Sequence, residues 1–369
     1  MRILYMLNTL GIGGAERLVV AIAERMDARG HTVGIATLQN QRGDEWATPL
    51  DVVRLGIDKH PLRVLAGFRR GLRILHEFGP HILHSHNFHG NLLARTLKLV
   101  HASTPVISTL HNEYEGGKAR MLALRLTNRA CEQVVAVSEA VAERASQFGI
   151  FPATKSRVIT NGIDLADFTP NTSRRKALRA AEGASGNFIW ITAGRLAPAK
   201  DYENLLLAFA QVRATAPLTQ LWIAGEGERE YSDALRIRAD QLGLADRVHW
   251  LGMRRDLAGL LDAADGFVLG SAWEGMPLAV AEAMAMEKPI VATGVGGVSE
   301  LVDQCGLVVP PRDPNALARA MLSIIHTPER ARAFLGRSAR QRIVDHFNID
   351  RKADEWEALY REIAGQSGR

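Results

Sequence analysis

The sequence predicts an α/β protein made of two Rossmann-like parallel sheets, each covered by helices. Three observations lead there. The chain has 369 residues, too many for one ordinary core, and 47% of them are hydrophobic, enough to fill two. Short apolar runs alternate with segments of helical period, the pattern of a parallel sheet covered on both faces. That alternation is interrupted once by a polar stretch, Asn171-Thr172-Ser173-Arg174-Arg175-Lys176, with Gly183 and Gly186 beyond it. The expected division is a first domain at 1–168, a second at 169–345, and a C-terminal helix at 346–369.

In chain order, the first half predicts strands at 2–7, 32–37, 51–55, 81–85, 105–109, 132–138 and 156–159, and helices at 14–28, 61–77, 88–100, 118–130 and 139–147. The second half predicts strands at 188–194, 220–225, 247–250, 266–270, 289–293 and 306–309, separated by helical segments. Residues 313–365 have no strand signal and end in an amphipathic helix bearing Trp356, Leu359, Tyr360 and Ile363. No repeat shorter than a domain and no low-complexity segment is present.

Composition narrows the setting. Cys131 and Cys305 are the only cysteines, too few for a disulfide framework, so a reducing compartment, the cytosol, is expected. The N-terminal run is broken by Asn8 and Gly11 and reads as a strand rather than a signal peptide, and no stretch approaches membrane-spanning length. The net charge of +5 sits in the first half, where residues 1–165 hold 20 Lys/Arg against 14 Asp/Glu. There Arg63, Arg69, Arg70 and Arg73 alternate with Leu62, Val64, Leu65, Phe68, Leu72 and Leu75, and Lys118, Arg120, Arg125 and Arg129 accompany Met121, Leu122, Leu124 and Leu126. Such helices can lie on anionic lipid or meet an anionic acceptor, or they can be ordinary solvated faces. Interleaved aromatics are scarce, so nucleic acid is not expected as a partner.

Several constellations could carry chemistry. Gly11-Ile12-Gly13-Gly14-Ala15-Glu16 follows the first strand and opens a helix whose N–H groups could face a phosphate. Glu16 replaces the third glycine of a dinucleotide fingerprint, and no ribose-binding acid ends the second strand, so nicotinamide cofactors are not expected. Gly194-Arg195 ends a strand and is followed by Lys200-Asp201; an arginine fork and a mobile lysine suit a diphosphate. Glu274 and Glu282 are eight residues apart, one on a strand-to-helix loop and one a turn or so into the helix expected near Pro277. They could frame one crevice, or be a capping charge and a solvated helix residue.

His84, His86 and His89 come close along the chain, but no local carboxylate or cysteine completes a metal set. They read instead as substrate-lining polar residues at a strand end. His111, with Asn112 beside it, lies just past an apolar strand and could bond a ligand or be a satisfied structural histidine. Neither an Asp-X-Asp pair, nor a Gly-X-Ser-X-Gly elbow, nor a Walker lysine loop occurs, so no metal is expected.

Taken in order and spacing, Gly13-Gly14-Ala15-Glu16, His84-Ser85-His86, Thr109-Leu110-His111, Asn161-Gly162-Ile163-Asp164, Gly194-Arg195 with Lys200-Asp201, Glu274-Gly275-Met276-Pro277-Leu278 through Glu282, and Gly296-Gly297 with Glu300 resemble the retaining nucleotide-sugar glycosyltransferases of the GT-B architecture, family 4. The resemblance covers nearly the whole chain. It implies that the last helix crosses back to the first domain. It also implies that Arg195 and Lys200 hold the donor diphosphate with Gly13, Gly14 and Gly194 near it. Glu282 would then bind ribose hydroxyls and Glu274 sugar hydroxyls. The amides of Gly275, Met276, Leu278 and Ala279 would line that pocket, and His111 would touch the transferred sugar. Met253 would lie in the loop against the base, and His84, His86 and Asn112 on the acceptor side.

The activity implied is metal-independent transfer, with retained configuration, from a nucleotide-diphosphate sugar to a glycan or lipid-linked acceptor of bacterial envelope synthesis. It would take place at the inner face of the cytoplasmic membrane. Rival readings are a two-Rossmann sugar-nucleotide epimerase, which needs no acceptor, and a degenerate scaffold.

Overall fold

The computed structural model describes residues 1–11, 13–40, 45–101, 103–114, 116–182, 184 and 186–367; Ile12 of the glycine turn and Gly183 of the boundary lie outside the described residues. The chain divides into two compact units, residues 1–162 with 349–369, and residues 163–348. The cuts fall at Gly162 and Ile349 rather than at 168 and 346. Asn348 bridges in parallel to Ile163, and Ile163 N–H donates to Phe347 O at 2.7 Å, so backbone pairing holds the residues after Gly162 to the second unit.

The first unit runs β1 (Arg2–Leu7), α1 (Gly14–Ala28), β2 (Thr32–Thr37), β3 (Asp51–Arg54), α2 (Pro61–Phe78), β4 (Ile82–His86), α3 (Asn87–Val100), β5 (Val106–Leu110), α4 (Lys118–Leu126), β6 (Gln133–Ala136), α5 (Glu139–Gln147) and β7 (Ser156–Val158). Its seven strands pair in parallel in the order β3-β2-β1-β4-β5-β6-β7. Local chemistry sets the helix ends. Pro61 opens α2 and Gly79, left-handed at φ 54°, closes it; the Ser138 hydroxyl caps α5 by accepting from Val141 N–H.

The helix expected over 118–130 stops at Leu126. Thr127 Oγ1 donates back to Ala123 O at 2.8 Å and the buried Arg95 donates to Leu124 O at 2.8 Å. These bonds take the last carbonyls, and the chain tightens into a 3-10 turn over Asn128–Ala130.

The second unit runs α6 (Thr172–Ala181), β8 (Phe188–Ala193), α7 (Tyr202–Thr215), β9 (Thr219–Ala224), α8 (Arg229–Gln241), β10 (Val248–Gly252), α9 (Leu257–Ala263), β11 (Gly266–Leu269), α10 (Leu278–Ala285), β12 (Ile290–Thr293), α11 (Val298–Val302), β13 (Gly306–Val309), α12 (Pro314–His326) and α13 (Glu329–His346). The strand order is β10-β9-β8-β11-β12-β13, again parallel throughout. The inner strands of both sheets are buried on both faces, which is why they read as unbroken apolar runs, while the edge strands β3, β7, β10 and β13 are partly exposed. In each, the order reverses once, between β1 and β4 and between β8 and β11, and the crevice beyond the carboxyl ends at such a reversal is where doubly wound sheets bind ligands.

The last helix, α14 (Ile349–Ser367), belongs to the first unit. Its Ile349, Ala353, Trp356, Leu359, Tyr360 and Ile363 join Ile3, Tyr5 and Leu7 of β1 and Val19, Ile22 and Met26 of α1 in one core. Arg25 pairs with Asp350 at 2.6 Å, and Arg29 and His31 pair with Glu357 at 2.9 and 3.0 Å, along the helix's polar side. The amphipathic pattern announced burial of one face; the partner is α1 with β1.

Candidate functional site

In the second unit the strand-end residues meet at the reversal point. The loop after β8 carries Gly194, Arg195 and Lys200; the loop after β11 carries Ser271, Trp273 and Glu274. Ala272 N–H donates to Ala199 O at 2.8 Å and stitches the two loops together. Lys200 Nζ then donates to Glu274 Oε1 at 2.6 Å, and Ser271 Oγ donates to the same oxygen at 2.6 Å. Thr293 Oγ1, from the end of β12, donates to Ser271 O at 2.7 Å and fixes the loop from behind.

Glu274 is 9% exposed, so its charge is compensated by one cation and one hydroxyl before any ligand arrives. Arg195 is exposed and makes no hydrogen bond or ion pair among the described residues, leaving its fork available to an anion. Asp201, adjacent to Lys200, has a different task. It sits left-handed at φ 44° and its carboxylate caps α7 by accepting from Asn204 N–H.

Backbone geometry brings these loops closer than side chains would allow. A Cβ on Gly296, where φ is +53°, would lie 2.3 Å from Glu274 O and 2.6 Å from Gly275 O, and Gly297 N–H donates to Gly275 O at 2.6 Å. A Cβ on Gly225, at φ +154°, would lie 1.9 Å from Gly194 O. Tyr202 Oη donates to that same carbonyl at 2.9 Å; burial first, and the nearby Glu274 carboxylate second, hold its phenol above the ordinary range, so it stays a donor.

α10 begins as the sequence suggests. Pro277 is its N-cap residue with no side-chain cap, so the N–H groups of half-buried Leu278 and Ala279 head the helix beside Glu274, while Met276 is buried. Glu282 lies one turn inside and is 7% exposed. Further along the sheet edge, Met253 N–H donates to Glu226 Oε1 at 3.2 Å, and the Met253 side chain is exposed.

The strand ends of the first unit are built differently. His84 and His86 share one face of β4, with ring centroids 4.1 Å apart, but neither lines an open surface; they are 1% and 3% exposed. His84 Nδ1 meets Tyr360 Oη at 2.7 Å and its Nε2 meets Thr109 Oγ1 at 2.8 Å, while Trp356 packs 4.5 Å from its ring. Both ring nitrogens of His84, expected on the acceptor side, are thus engaged within the first unit, Nδ1 by a helix more than 260 residues away in sequence and Nε2 by the neighbouring strand.

His86 Nδ1 meets His111 Nε2 at 3.0 Å, and Tyr5 stacks beside His86. Burial holds His84 and His86 well below the usual imidazole range and His111 at about 4, so all three are neutral at physiological pH. His111 keeps 8% exposure at the end of β5, and Asn112 next to it is exposed. Gly13 is the extended N-cap of α1, with Gly14 its first residue, and no side chain caps this end.

Some partners were not legible. Nothing in the sequence singled out Ser271, Thr293 or Tyr202; for Ser271 and Tyr202 the available signal was a hydroxyl within four positions of Glu274 or Lys200, and Thr293, at the end of β12, left none. Arg95, on which the sequence offered no reading, is wholly buried and bonded to Ser108, Leu124 and Asn128. Among the described residues, no group of three or more His, Cys, Asp or Glu side chains could hold a metal ion, and no helix is long and apolar enough to cross a membrane.

Comparison with known proteins bears on both units. Residues 12–167 match the family model for Glycosyltransferase Family 4 and residues 187–327 that for Glycosyl transferases group 1. The UDP-Gal:alpha-D-GlcNAc-diphosphoundecaprenol alpha-1,3-galactosyltransferase of Escherichia coli is 29% identical over 214 residues, 57% of this chain and 54% of that one. The glycogen synthase of Mycobacterium tuberculosis is 27% identical over 376 residues, 91% of this chain and 88% of that one. The crystal structure of HepE from Anabaena in complex with UDP-glucose superposes with a TM-score of 0.84 at 25% identity, covering 97% of this chain and 99% of that one.

Proposed function

The chain belongs to glycosyltransferase family 4, with the GT-B fold, and on that footing we propose that it transfers a sugar from a nucleotide-diphosphate donor with retention of anomeric configuration and without a metal. The observation that carries this reading is the Lys200–Glu274 pair, 2.6 Å apart at the strand-order reversal, with Arg195 exposed beside it. Lys200 and Arg195 concentrate positive potential where charge grows on a departing diphosphate, and Glu274 reads sugar hydroxyls from the same place. Glu282 reads the ribose. His111, on the first unit, meets a hydroxyl of the transferred sugar.

In the step proposed, the bond from the anomeric carbon to the diphosphate oxygen breaks and a bond from that carbon to the acceptor oxygen forms on the same face. The acceptor proton passes to the departing diphosphate. No enzyme nucleophile is needed, and the groups at the site fit that: two cations, one of them already paired with the carboxylate of Glu274.

The acceptor we propose is a glycan or lipid-linked envelope glycan, reached with the first unit held against anionic lipid. Arg63, Arg69, Arg70 and Arg73 of α2 are exposed together with Leu62 at 70%, Val64 at 45% and Leu65 at 47%, and Lys118, Arg120 and Arg125 of α4 with Leu122 at 52% and Leu126 at 72%. Basic side chains beside exposed leucines suit an anionic interface. Salt-sensitive binding to anionic but not neutral liposomes is the expected result, and no binding to either removes the membrane part.

The reaction itself is tested by a thermal-shift screen of UDP-, GDP- and ADP-sugars, followed by proton NMR of the product. A UDP-sugar is the first to try, since the names of two relatives carry one. Retention shows as the donor's anomeric coupling in the product; the opposite anomer overturns the mechanism, and epimerised donor formed without acceptor overturns transfer.

A further inference from the structure

His86 and His111 share a single ring-to-ring hydrogen bond, His86 Nδ1 to His111 Nε2 at 3.0 Å. With both rings neutral, one nitrogen of that pair must bear the proton and the other must be bare. The consequence is a coupling of tautomers. If His86 bears its proton on Nδ1, His111 must present a bare Nε2 and bear its own proton on Nδ1. If His111 donates from Nε2, His86 must bear its proton on Nε2. Either way the two rings hold the same tautomer.

What fixes the choice lies at the far nitrogen of His86. His86 Nε2 is buried with no hydrogen-bond partner among the described residues, and so is Thr160 Oγ1. Both residues line one cavity of about 20 Å³ in the first unit, with His111, Asn161, Lys352 and Trp356 around it, room for about one water molecule. A buried imidazole nitrogen left unpaired costs about 1–3 kcal/mol, a cost that one water in this cavity, bonded to His86 Nε2, removes. A group donating to His86 Nε2 makes His111 a donor at Nδ1; a group accepting there makes His111 an acceptor.

We propose that His86 is a positioning residue for His111: through the shared hydrogen bond it holds the ring in one orientation, and it passes the state of the Thr160 cavity to the nitrogen that His111 offers its ligand. This rests on the reading that His111 meets the transferred sugar. His84, with both nitrogens occupied by the Tyr360 and Thr109 hydroxyls, packs against the His86 ring with centroids 4.1 Å apart.

Long-range proton–nitrogen NMR of imidazole-labelled full-length protein tests the coupling without any substrate. The expected result is one fixed tautomer, the same for His86 and His111, with His111 turning to an averaged pair of nitrogen shifts in His86→Leu and returning to a fixed pattern in His86→Asn, whose amide lies near the lost Nδ1. Opposite tautomers in the two rings, or unchanged His111 shifts in His86→Leu, overturn the proposal.

Turnover measured on the same samples separates it from the reading beneath. His86→Leu should lower kcat on the order of 10²-fold, the scale of a misplaced contact, with no further loss when His111→Leu is added and partial rescue by His86→Asn. Additive losses without rescue overturn the positioning role. Wild-type turnover in His111→Leu refutes the sugar contact itself, while the NMR result stands or falls separately.

Discussion

The two sheets reverse their strand order at equivalent places, yet the residues at the two reversals differ in kind. In the second unit, Lys200, Glu274 and exposed Arg195 put charge at the strand ends, with a carboxylate already satisfied by one cation and one hydroxyl. In the first, His84, His86 and His111 are buried, neutral and bonded to one another or to Tyr360 and Thr109. The same topology thus supplies two chemistries: one region builds electrostatic potential, and the other fixes shape and hydrogen-bond polarity in a buried interior. Sheet order says where a ligand is met; burial decides what the sheet end can do to it.

The contrast can be broken most directly at Lys200. Lys200→Ala should lower kcat/KM by about 10² to 10³-fold, the usual effect of deleting one preorganised charge-stabilising donor, with circular dichroism unchanged and the melting temperature lowered, because the buried Glu274 carboxylate loses its cation. Near-normal turnover would remove Lys200 from the site. Gly296→Ala should come next. The added Cβ, 2.3 Å from Glu274 O, must push the Glu274 loop away, and a displacement near 1 Å costs on the order of 10²-fold; donor KM and kcat read it, and unchanged kinetics would mean that the loop position does not matter.

On the neutral side the effects should be on stability. His84→Phe leaves the buried Thr109 hydroxyl without its partner, a cost of about 1–3 kcal/mol, and should lower the melting temperature by roughly 2–4 °C per kcal/mol while donor binding to the second unit persists.

Acid should act in the same region. The folded imidazoles resist protonation, so their contribution to stability is complete above about pH 6.5, the ordinary histidine value, and is lost as pH falls toward the value of about 4 for His111. Between those values the unfolded chain binds protons that the folded chain does not, and His111 alone is worth about 3 kcal/mol. Denaturant midpoints at pH 7 and pH 5 should differ accordingly, and flat midpoints would show that the rings are charged or solvated. The smallest effect is expected of Glu282→Gln, about a tenfold rise in donor KM for one weakened hydrogen bond; a fall in kcat at unchanged affinity would restore an acid–base role.

Much of this was legible in the chain. Strand-length apolar runs between helical segments located the thirteen described strands to within a residue or two, because parallel strands buried on both faces leave a distinctive composition. That Lys200 and Glu274 lie on loops just past buried strands and Glu282 inside the following helix was legible as well; their roles toward a ligand are the proposal, not the observation. The histidines were not. Polar residues at a strand end read as a ligand surface, and only the packing of Trp356 and Tyr360 from the other end of the chain turns His84 inward. The amphipathic period of that helix shows that one face is buried, never against what. Arg95 and Ser271 escaped for a related reason: their partners come from elements distant in sequence or from backbone carbonyls, and neither leaves a pattern.

The central claim is that the second unit's charged strand ends hold the donor diphosphate. It is tested most directly by titrating UDP into the wild-type protein and the Arg195→Ala/Lys200→Ala variant while following melting, since a ligand that binds only the folded state stabilises it by mass action. A concentration-dependent rise in the wild type that is absent from a normally folded variant is the expected result; an equal rise in both would place the diphosphate elsewhere and contradict the account.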